Sequence, residues 1–397
     1  MSYPDSGGAK RTRLPRPLPG RSEIDPFIVM DVMRAANERE AAGSDIIHME
    51  VGQPGTPAPR AVIDAARAAL DSDRLGYTEA LGLPRLRERI AAHYTDRYGV
   101  SVAPERVVVT TGSSAGFILA FLAILEEGAR MALPTPGYPC YRHILKAVGA
   151  EPVMIETTQQ TRWVPEPAHL EELVRAGGLH GLLLASPANP TGTMLSDDAL
   201  QALCESCEKL GLWFISDEIY HGLDYTEPAQ TALAHSDTAI VINSFSKYFS
   251  MTGWRIGWMV VPPGLLRTVE RLAQNLYISA PTLSQHAAIA AFDAHDELEA
   301  YKAVYARNRE ILLEELPKAG IAEILPADGA FYLYADVHAL TNDSAAFARA
   351  MLDEAGVAAT PGIDFDTARG NRFIRFSYAG RTREMEEAAS RLRSWLK

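Results

Sequence analysis

A single lysine stands in a setting suited to covalent chemistry. Residues 243–258 read Asn-Ser-Phe-Ser-Lys-Tyr-Phe-Ser-Met-Thr-Gly-Trp-Arg-Ile-Gly-Trp, so hydroxyl and aromatic side chains flank Lys247. A partly desolvated amine close to another cation has a lowered pKa and can condense with a carbonyl to form a Schiff base. Ser244 and Ser246 offer hydroxyl donors, and Arg255 offers a guanidinium fork suited to phosphate oxygens. The segment therefore predicts a site for a phosphorylated aldehyde.

A second group of polar and aromatic residues follows the ends of predicted strands. Strands and helices alternate from about residue 105 to 262, which predicts an α/β fold with a largely parallel sheet and helices on both faces. In such sheets, ligands bind at the carboxyl ends of the strands. The residues at or just beyond those ends are Ser113, Tyr138, Asn189, Asp217 and Lys247.

The lysine segment, Ser-x-Ser-Lys with Met-Thr-Gly-Trp-Arg-Ile-Gly downstream, resembles that of the class I/II pyridoxal-phosphate-dependent aminotransferases. These enzymes belong to the aspartate aminotransferase superfamily, fold type I, and the resemblance covers nearly the whole chain from residue 25. It implies a mostly parallel sheet with helices on both faces plus a smaller α+β domain. It also implies pyridoxal 5′-phosphate as the cofactor, held by Lys247 as an aldimine. The implied reaction is a ping-pong transfer of an α-amino group between an L-amino acid and a 2-oxo acid.

Roles around the cofactor also follow from this resemblance. Ser113 and Ser114 open a helix directly after a strand, a geometry that aims backbone N–H groups and a helix dipole at an anion. Asp217 would pair with the protonated pyridine nitrogen, because a carboxylate at a buried strand end needs a partner. Tyr138 would stack on the pyridine ring, whereas Tyr141 is assigned only a packing role. The other implied cofactor contacts are Asn189, which would also bind substrate, Tyr220, Ser244, Arg255 and Tyr77, which would reach the phosphate in the neighbouring subunit.

Two further residues are implied to bind the substrate carboxylate, Gly52 through its amide and Arg375 through a bidentate fork. On the residues alone, Gly52 could be a plain turn glycine and Arg375 a strand arginine facing solvent. The Asp-Glu-x-Tyr run from Asp217 could likewise be the start of a helix. If Arg375 faces the site, its neighbours Ile374 and Phe376 should point away from it, into the core.

Composition excludes several classes of function. The net charge of −12 over 397 residues argues against a general nucleic-acid binder. No stretch is long and apolar enough to span a membrane, and the first residues lack the apolar core of a signal peptide, so a cytoplasmic location is expected. The three cysteines give no disulfide framework, and Cys204-x-x-Cys207 lacks the second pair of a metal motif. No metal site is predicted.

The domain organisation is predicted from composition, periodicity and the resemblance. The parts are an N-terminal arm (1–24), a small domain (25–50 and 295–397) and a large cofactor-binding domain (51–294). The arm is expected to be disordered or to lie across a partner subunit in a homodimer. Asp25-Pro26 predicts an N-cap and first residue for a helix to about Gly43. A long helix from about His295 to Ala319 would bridge to the second domain.

The sequence leaves the substrate open. Aspartate-specific members of the family use an extra cation for the distal carboxylate. No arginine lies from Leu272 to Ala291, where one branch supplies it from the partner subunit, and Ser114 stands where another branch has a lysine. Strict dicarboxylate specificity is therefore not expected, and alanine, aromatic and branched-chain amino acids are candidates.

Two other functions are compatible with the same cofactor-binding residues. A pyridoxal-phosphate-dependent C–S lyase acting on sulfur amino acids would keep every cofactor residue named above. A non-catalytic effector-binding module of a transcription regulator would require a DNA-binding domain ahead of residue 25, where only the short arm stands.

Overall fold

The computed structural model describes residues 16–397, so the first 15 residues of the predicted arm lie outside the described part. The helices are α1 (Ile28–Ala41), α2 (Arg60–Ser72), α3 (Pro84–Tyr98), α4 (Gly112–Ile124), α5 (Pro139–Ala147), α6 (Pro167–Gly177), α7 (Asp197–Leu210), α8 (Leu266–Leu276), α9 (Thr282–Ala291), α10 (His295–Lys318), α11 (Ser344–Ala350) and α12 (Thr382–Trp395). The strands are β1 (Ile47–His48), β2 (Val107–Thr110), β3 (Arg130–Thr135), β4 (Glu151–Glu156), β5 (Gly181–Ala185), β6 (Trp213–Asp217), β7 (Ile240–Ser244), β8 (Gly257–Val260), β9 (Glu323–Ile324), β10 (Tyr332–Asp336), β11 (Val357–Ala358), β12 (Thr360–Pro361) and β13 (Phe373–Ser377).

The large sheet has seven strands in the order β2-β8-β7-β6-β5-β3-β4. Its strands are parallel except β8, which is antiparallel to both neighbours. Strand β8 reverses direction because the β7–β8 connection contains no crossover helix that could return the chain to the start of the sheet. The prediction of a largely parallel sheet is confirmed.

Strand β5 shows how the sheet is buried. Leu182 and Leu184 belong to one apolar cluster and Leu183 to another, on the opposite face. Since side chains alternate along a strand, this uninterrupted apolar run fills both faces at once. Helices cover both faces, as the sequence predicts.

The second sheet is smaller and antiparallel, with the strand order β12-β13-β10-β9. Arg375 lies on its inner strand β13, opposite Tyr334 on β10 and Thr360 on β12. Near the beginning of the chain, β1 pairs in parallel with β11, which ties the N-terminal segment to the C-terminal part. This pairing supports the proposal that residues 25–50 and 295–397 form one domain.

One expectation about local structure is wrong, and one alternative is excluded. Helix α1 begins at Ile28 and not at Pro26, and no side chain of its own N-cap residue caps it. Asp364 takes that role from far along the chain: the Ile28 N–H donates to its Oδ1 at 3.3 Å and the Val29 N–H to its Oδ2 at 3.2 Å. The Asp-Glu-x-Tyr run after β6 forms a turn and does not start a helix.

Helix α10 runs from His295 to Lys318, one residue short of the predicted end, and packs along α12. Among the described residues, no helix has both the length and the apolar character needed to cross a membrane. Cys204 and Cys207 lie buried on α7, where burial raises the pKa of each thiol to about 12. Both therefore stay protonated at neutral pH.

Candidate active site

Lys247 lies in the connection between β7 and β8, just beyond the carboxyl end of β7. Its Nζ donates a hydrogen bond to the Gly52 carbonyl oxygen. The rings of Tyr220 and Phe331 lie near it, with centroids 5.7 and 5.8 Å from Nζ. Burial, with Arg375 nearby, lowers the pKa of Lys247 to about 8. The amine can therefore lose its proton near neutral pH, as a nucleophile or base must.

Asp217 ends β6 and is 3% exposed. Burial raises the pKa of this carboxyl to about 6, although its hydrogen bonds favour the charged form. The Tyr141 hydroxyl donates to its Oδ2, and the Ile219 N–H donates to its Oδ1 at 3.1 Å. The expectation that Tyr141 only packs is wrong, because its hydroxyl holds the carboxylate. The position of Asp217 would suit a cationic ring nitrogen that compensates its buried charge.

An anion cradle forms where helix α4 begins. A methyl group built on Gly112 would lie 2.6 Å from Nη2 of Arg255, so the guanidinium lies directly over the start of the helix. One built on Gly257 would lie 3.2 Å from the Ser113 nitrogen, which brings β8 against the same turn. Ser244 donates to the Ser246 hydroxyl at 2.9 Å at the end of β7. Backbone N–H groups, a helix dipole, hydroxyls and a guanidinium together suit a phosphate group.

Arg375 is 2% exposed, so the alternative of a solvent-facing strand arginine is wrong. Its Nη1 donates to Asn189 Oδ1 at 2.9 Å, and its Nη2 donates to the Glu50 carbonyl and, at 3.3 Å, to Thr360 Oγ1. Among the described residues, its buried Nε has no hydrogen-bond partner. A buried cation with an unused donor can still bind an anionic group.

The strand around Arg375 has the expected arrangement. Ile374 and Phe376 are both fully buried, as predicted for side chains that point away from the site into the core. The guanidinium lies between two rings, 4.4 Å from the centroid of Tyr332 and 4.7 Å from that of Phe365. Sequence reasoning assigned no role to either aromatic residue.

Tyr220 and Tyr138 complete the aromatic part of the site. The Tyr220 hydroxyl is 2.7 Å from that of Tyr332. Tyr138 makes T-shaped contacts with Phe27 and Tyr141, at centroid distances of 5.8 and 5.2 Å. A planar ligand would stack on a face of such a ring.

Tyr77 is 84% exposed. It lines an open pocket of about 510 Å³ together with Arg74, Thr111 and the segment Ser279–Thr282. The Gly76 carbonyl accepts a hydrogen bond from Thr282 at 2.6 Å, which fixes this loop on helix α9. The structure therefore groups Lys247, Asp217, Asn189, Tyr220 and Arg375 and leaves Tyr77 at the surface.

The donor set fits pyridoxal 5′-phosphate. Lys247 supplies an amine with a lowered pKa for the aldehyde, and Asp217 a buried carboxylate for the ring nitrogen. The turn at Gly112 supplies the phosphate-binding site. Residue 112 has no room for a Cβ, because the Arg255 guanidinium lies directly against it. The aldehyde, the ring nitrogen and the phosphate of the cofactor thus each find a complementary group among these residues.

Comparison with known proteins agrees with this arrangement. The family model for aminotransferase class I and II matches residues 44–392. A valine–pyruvate aminotransferase from Mycobacterium tuberculosis is 50% identical over 95% of this chain and 97% of that protein. A crystal structure of an aminotransferase from Mycobacterium tuberculosis matches with a TM-score of 0.94 and 49% identity, covering 96% of this chain and 99% of that one. An aspartate aminotransferase from Thermus thermophilus, solved with maleate, matches with a TM-score of 0.89 and 30% identity, covering 96% of this chain and 99% of that one.

Proposed function

Because this chain belongs to the aminotransferase class I and II family, we propose that it acts on branched-chain amino acids such as valine, with pyruvate as a 2-oxo acid partner. The chain is a fold-type-I, pyridoxal-phosphate-dependent enzyme that moves an α-amino group between an amino acid and a 2-oxo acid. The relatives reported above are all named as aminotransferases, so the C–S lyase and the effector-binding module are not favoured.

The main support for the substrate is the 50% identity to a protein named as a valine–pyruvate aminotransferase. The surface near Tyr77 adds a second argument. Residues 272–291 contain no arginine and include Leu276 and Ile278, which are 50% and 52% exposed, beside the pocket-lining residues 279–282. If this stretch faces the partner's site, it offers an apolar surface to the substrate side chain and no second cation.

The proposed roles follow from the contacts of each side chain. When bound, pyridoxal 5′-phosphate supplies an electron sink that stabilises the carbanion formed at the substrate α-carbon. Arg375 holds the α-carboxylate, using its Nε donor, which has no hydrogen-bond partner among residues 16–397, while Asn189 orients the guanidinium. The Lys247 amine, with its pKa lowered to about 8, takes the proton from the α-carbon. Asp217, oriented by Tyr141, keeps a negative charge opposite the ring nitrogen.

The cofactor-binding residues Ser113, Ser114, Ser244 and Arg255 are proposed to hold the phosphate, with Tyr138 against the ring and Tyr220 at its phenolic oxygen. Gly52 is proposed to contribute its amide to the substrate carboxylate, and its carbonyl already receives the Lys247 amine.

A homodimer with shared active sites is also proposed. Its support is the 84% exposure of Tyr77 at the rim of an open pocket, where a second subunit could cover it. A cytoplasmic location and the domain limits at residues 25, 51 and 295 stay predictions from the sequence.

The test is the absorption spectrum of the cofactor-loaded enzyme while single amino acids are added without an oxo-acid acceptor. We expect valine and alanine to convert the cofactor band with one equivalent of 2-oxo acid released, and aspartate to do so far more slowly. Faster conversion by aspartate would overturn the substrate class but leave transamination intact. Continued product release without an acceptor would instead support the lyase.

A further inference from the structure

Tyr332 contacts three of the groups described above, although nothing in the sequence pattern marks it. Its hydroxyl lies 2.7 Å from that of Tyr220, and its ring centroid lies 4.4 Å from Cζ of Arg375. The same hydroxyl packs so closely on Gly52 that a side chain at residue 52 would overlap it. With 1% of its surface exposed, Tyr332 joins β10 of the small sheet to the cofactor side of the site.

The direction of the Tyr220–Tyr332 hydrogen bond follows from the available acceptors. Within residues 16–397, each of the two hydroxyls has the other as its only hydrogen-bond partner. A buried hydroxyl that keeps its proton unused is costly. Of the two, Tyr220 has a further acceptor under the proposed function, the cofactor's phenolic oxygen, so both protons are used when Tyr332 donates and Tyr220 accepts. The Tyr220 proton is then free for an acceptor inside the site.

Electrostatics favour the same direction. Burial raises the pKa of Tyr220 well above its ordinary value, and it raises that of Tyr332 too. The Arg375 guanidinium opposes the effect of burial on both hydroxyls, but for Tyr332 it is the largest cause after burial, whereas for Tyr220 the neighbouring Tyr332 first adds to the effect of burial. The more acidic hydroxyl of a pair is the better donor.

We propose that Tyr332 is a positioning residue with two separable parts: its hydroxyl donates to Tyr220 and turns the Tyr220 O–H toward the cofactor's phenolic oxygen, while its ring supports the Arg375 guanidinium. The hydroxyl part rests on the proposed role of Tyr220. The ring part rests on the sandwich of the guanidinium between Tyr332 and Phe365, 4.4 and 4.7 Å from the two centroids.

A double-mutant cycle on the cofactor-loaded enzyme tests the hydroxyl. A hydrogen bond donated to the phenolic oxygen withdraws negative charge from it. If the Tyr220 hydroxyl donates more weakly, the bound cofactor therefore keeps its proton up to a higher pH. We expect Tyr332→Phe to raise the pH midpoint of the cofactor's absorption change by roughly half a unit, and Tyr220→Phe to raise it at least as far. The double variant should match Tyr220→Phe alone, because Tyr332 acts through Tyr220.

The outcomes separate this inference from the proposed role of Tyr220. A shift in Tyr220→Phe without one in Tyr332→Phe, or additive shifts in the double variant, would overturn the Tyr332 relay. If neither variant shifts the midpoint, Tyr220 does not contact the chromophore and both assignments fail. Tyr334→Phe is the matched control on the same strand, since its hydroxyl lies 3.4 Å from the Gly362 carbonyl, outside the site, and no shift is expected.

The ring is tested by the split between KM and kcat. Tyr332→Phe keeps the ring, so its KM for the amino acid should stay within about twofold of the native value, whereas Tyr332→Leu should raise KM roughly tenfold. Equal KM values in the two variants would contradict support of Arg375 by the ring. The dissociation constant of the cofactor, measured in parallel, shows whether the leucine variant still assembles the large-sheet half of the site.

Discussion

The two sheets contribute to the site in different ways. The large sheet places its candidate residues one after another at the carboxyl ends of parallel strands, each beside a short recognisable motif. The small sheet contributes Arg375, Tyr332 and Thr360 from the middle or start of antiparallel strands, where neighbours on other strands define the environment. Motifs therefore predict the half proposed to hold the cofactor and also Arg375 itself, while the surroundings of Arg375, supplied by Tyr332 and Thr360, depend on strand pairing that no short motif records.

If this division is real, substitutions in the large sheet should affect the chemical step and those in the small sheet should affect substrate affinity. The largest effect is expected for Lys247→Ala. Because the variant lacks the amine that moves the proton, kcat should fall by about 10⁴-fold or more while the fold stays intact. Steady-state kinetics and circular dichroism measure the two effects.

The control for this variant is Lys209→Ala, at an exposed lysine on α7. It should leave kcat unchanged. Substantial residual transamination in Lys247→Ala would contradict the assignment of the lysine.

A smaller effect of a different kind is expected for Arg375→Lys. A lysine keeps the charge but loses the planar fork, so KM for both the amino acid and the 2-oxo acid should rise about a hundredfold. The cofactor's dissociation constant should barely change, because Arg375 belongs to the small sheet. Titration of the apoenzyme with cofactor and steady-state kinetics measure the two constants.

Arg372→Lys is the matched control, since Arg372 precedes the same strand at the surface and pairs with Asp336. It should leave KM within twofold of the native value. If Arg375→Lys lost as much affinity for the cofactor as for the substrate, the proposal that the large sheet binds the cofactor and the small sheet binds the substrate would be contradicted.

The smallest effect concerns stability at the junction of helix α1 and the small-sheet region. Burial raises the pKa of Asp364 to about 6, so the folded protein binds this proton more tightly than the unfolded chain does. The contribution of Asp364 to stability is therefore greatest below the unfolded pKa and is lost as the pH rises through 6. The loss is complete about one pH unit above the folded pKa, where the folded carboxyl is almost fully ionised.

Asp364→Asn should remove this dependence. The difference in unfolding free energy, variant minus native protein, should increase by roughly 2 kcal/mol between pH 4 and 6 and level off above that. Chemical denaturation at several pH values measures this difference. A constant difference at all pH values would show that the Asp364 carboxyl does not titrate in this range.

What the sequence predicts depends on how far apart the interacting residues lie. Strand β5 is recognisable from the sequence, because its apolar run is continuous and local. The residues at the carboxyl ends of β2, β3, β5, β6 and β7 were likewise predictable from the alternating pattern. The roles of Tyr141, Tyr332 and Asp364 were missed because their partners lie 76, 112 and 336 positions away. Such contacts appear only once the two sheets and helix α1 are assembled.

The contact between Gly52 and the Tyr332 hydroxyl also limits how this enzyme can change by mutation. A single substitution at residue 52 would force its Cβ into the phenol, so it would be tolerated only after Tyr332 had been replaced by a smaller side chain. The reverse order, a smaller residue at 332 first, would leave a gap beside Arg375 and Tyr220. Evolution of the substrate-carboxylate site is therefore expected to pass through paired replacements whose order matters.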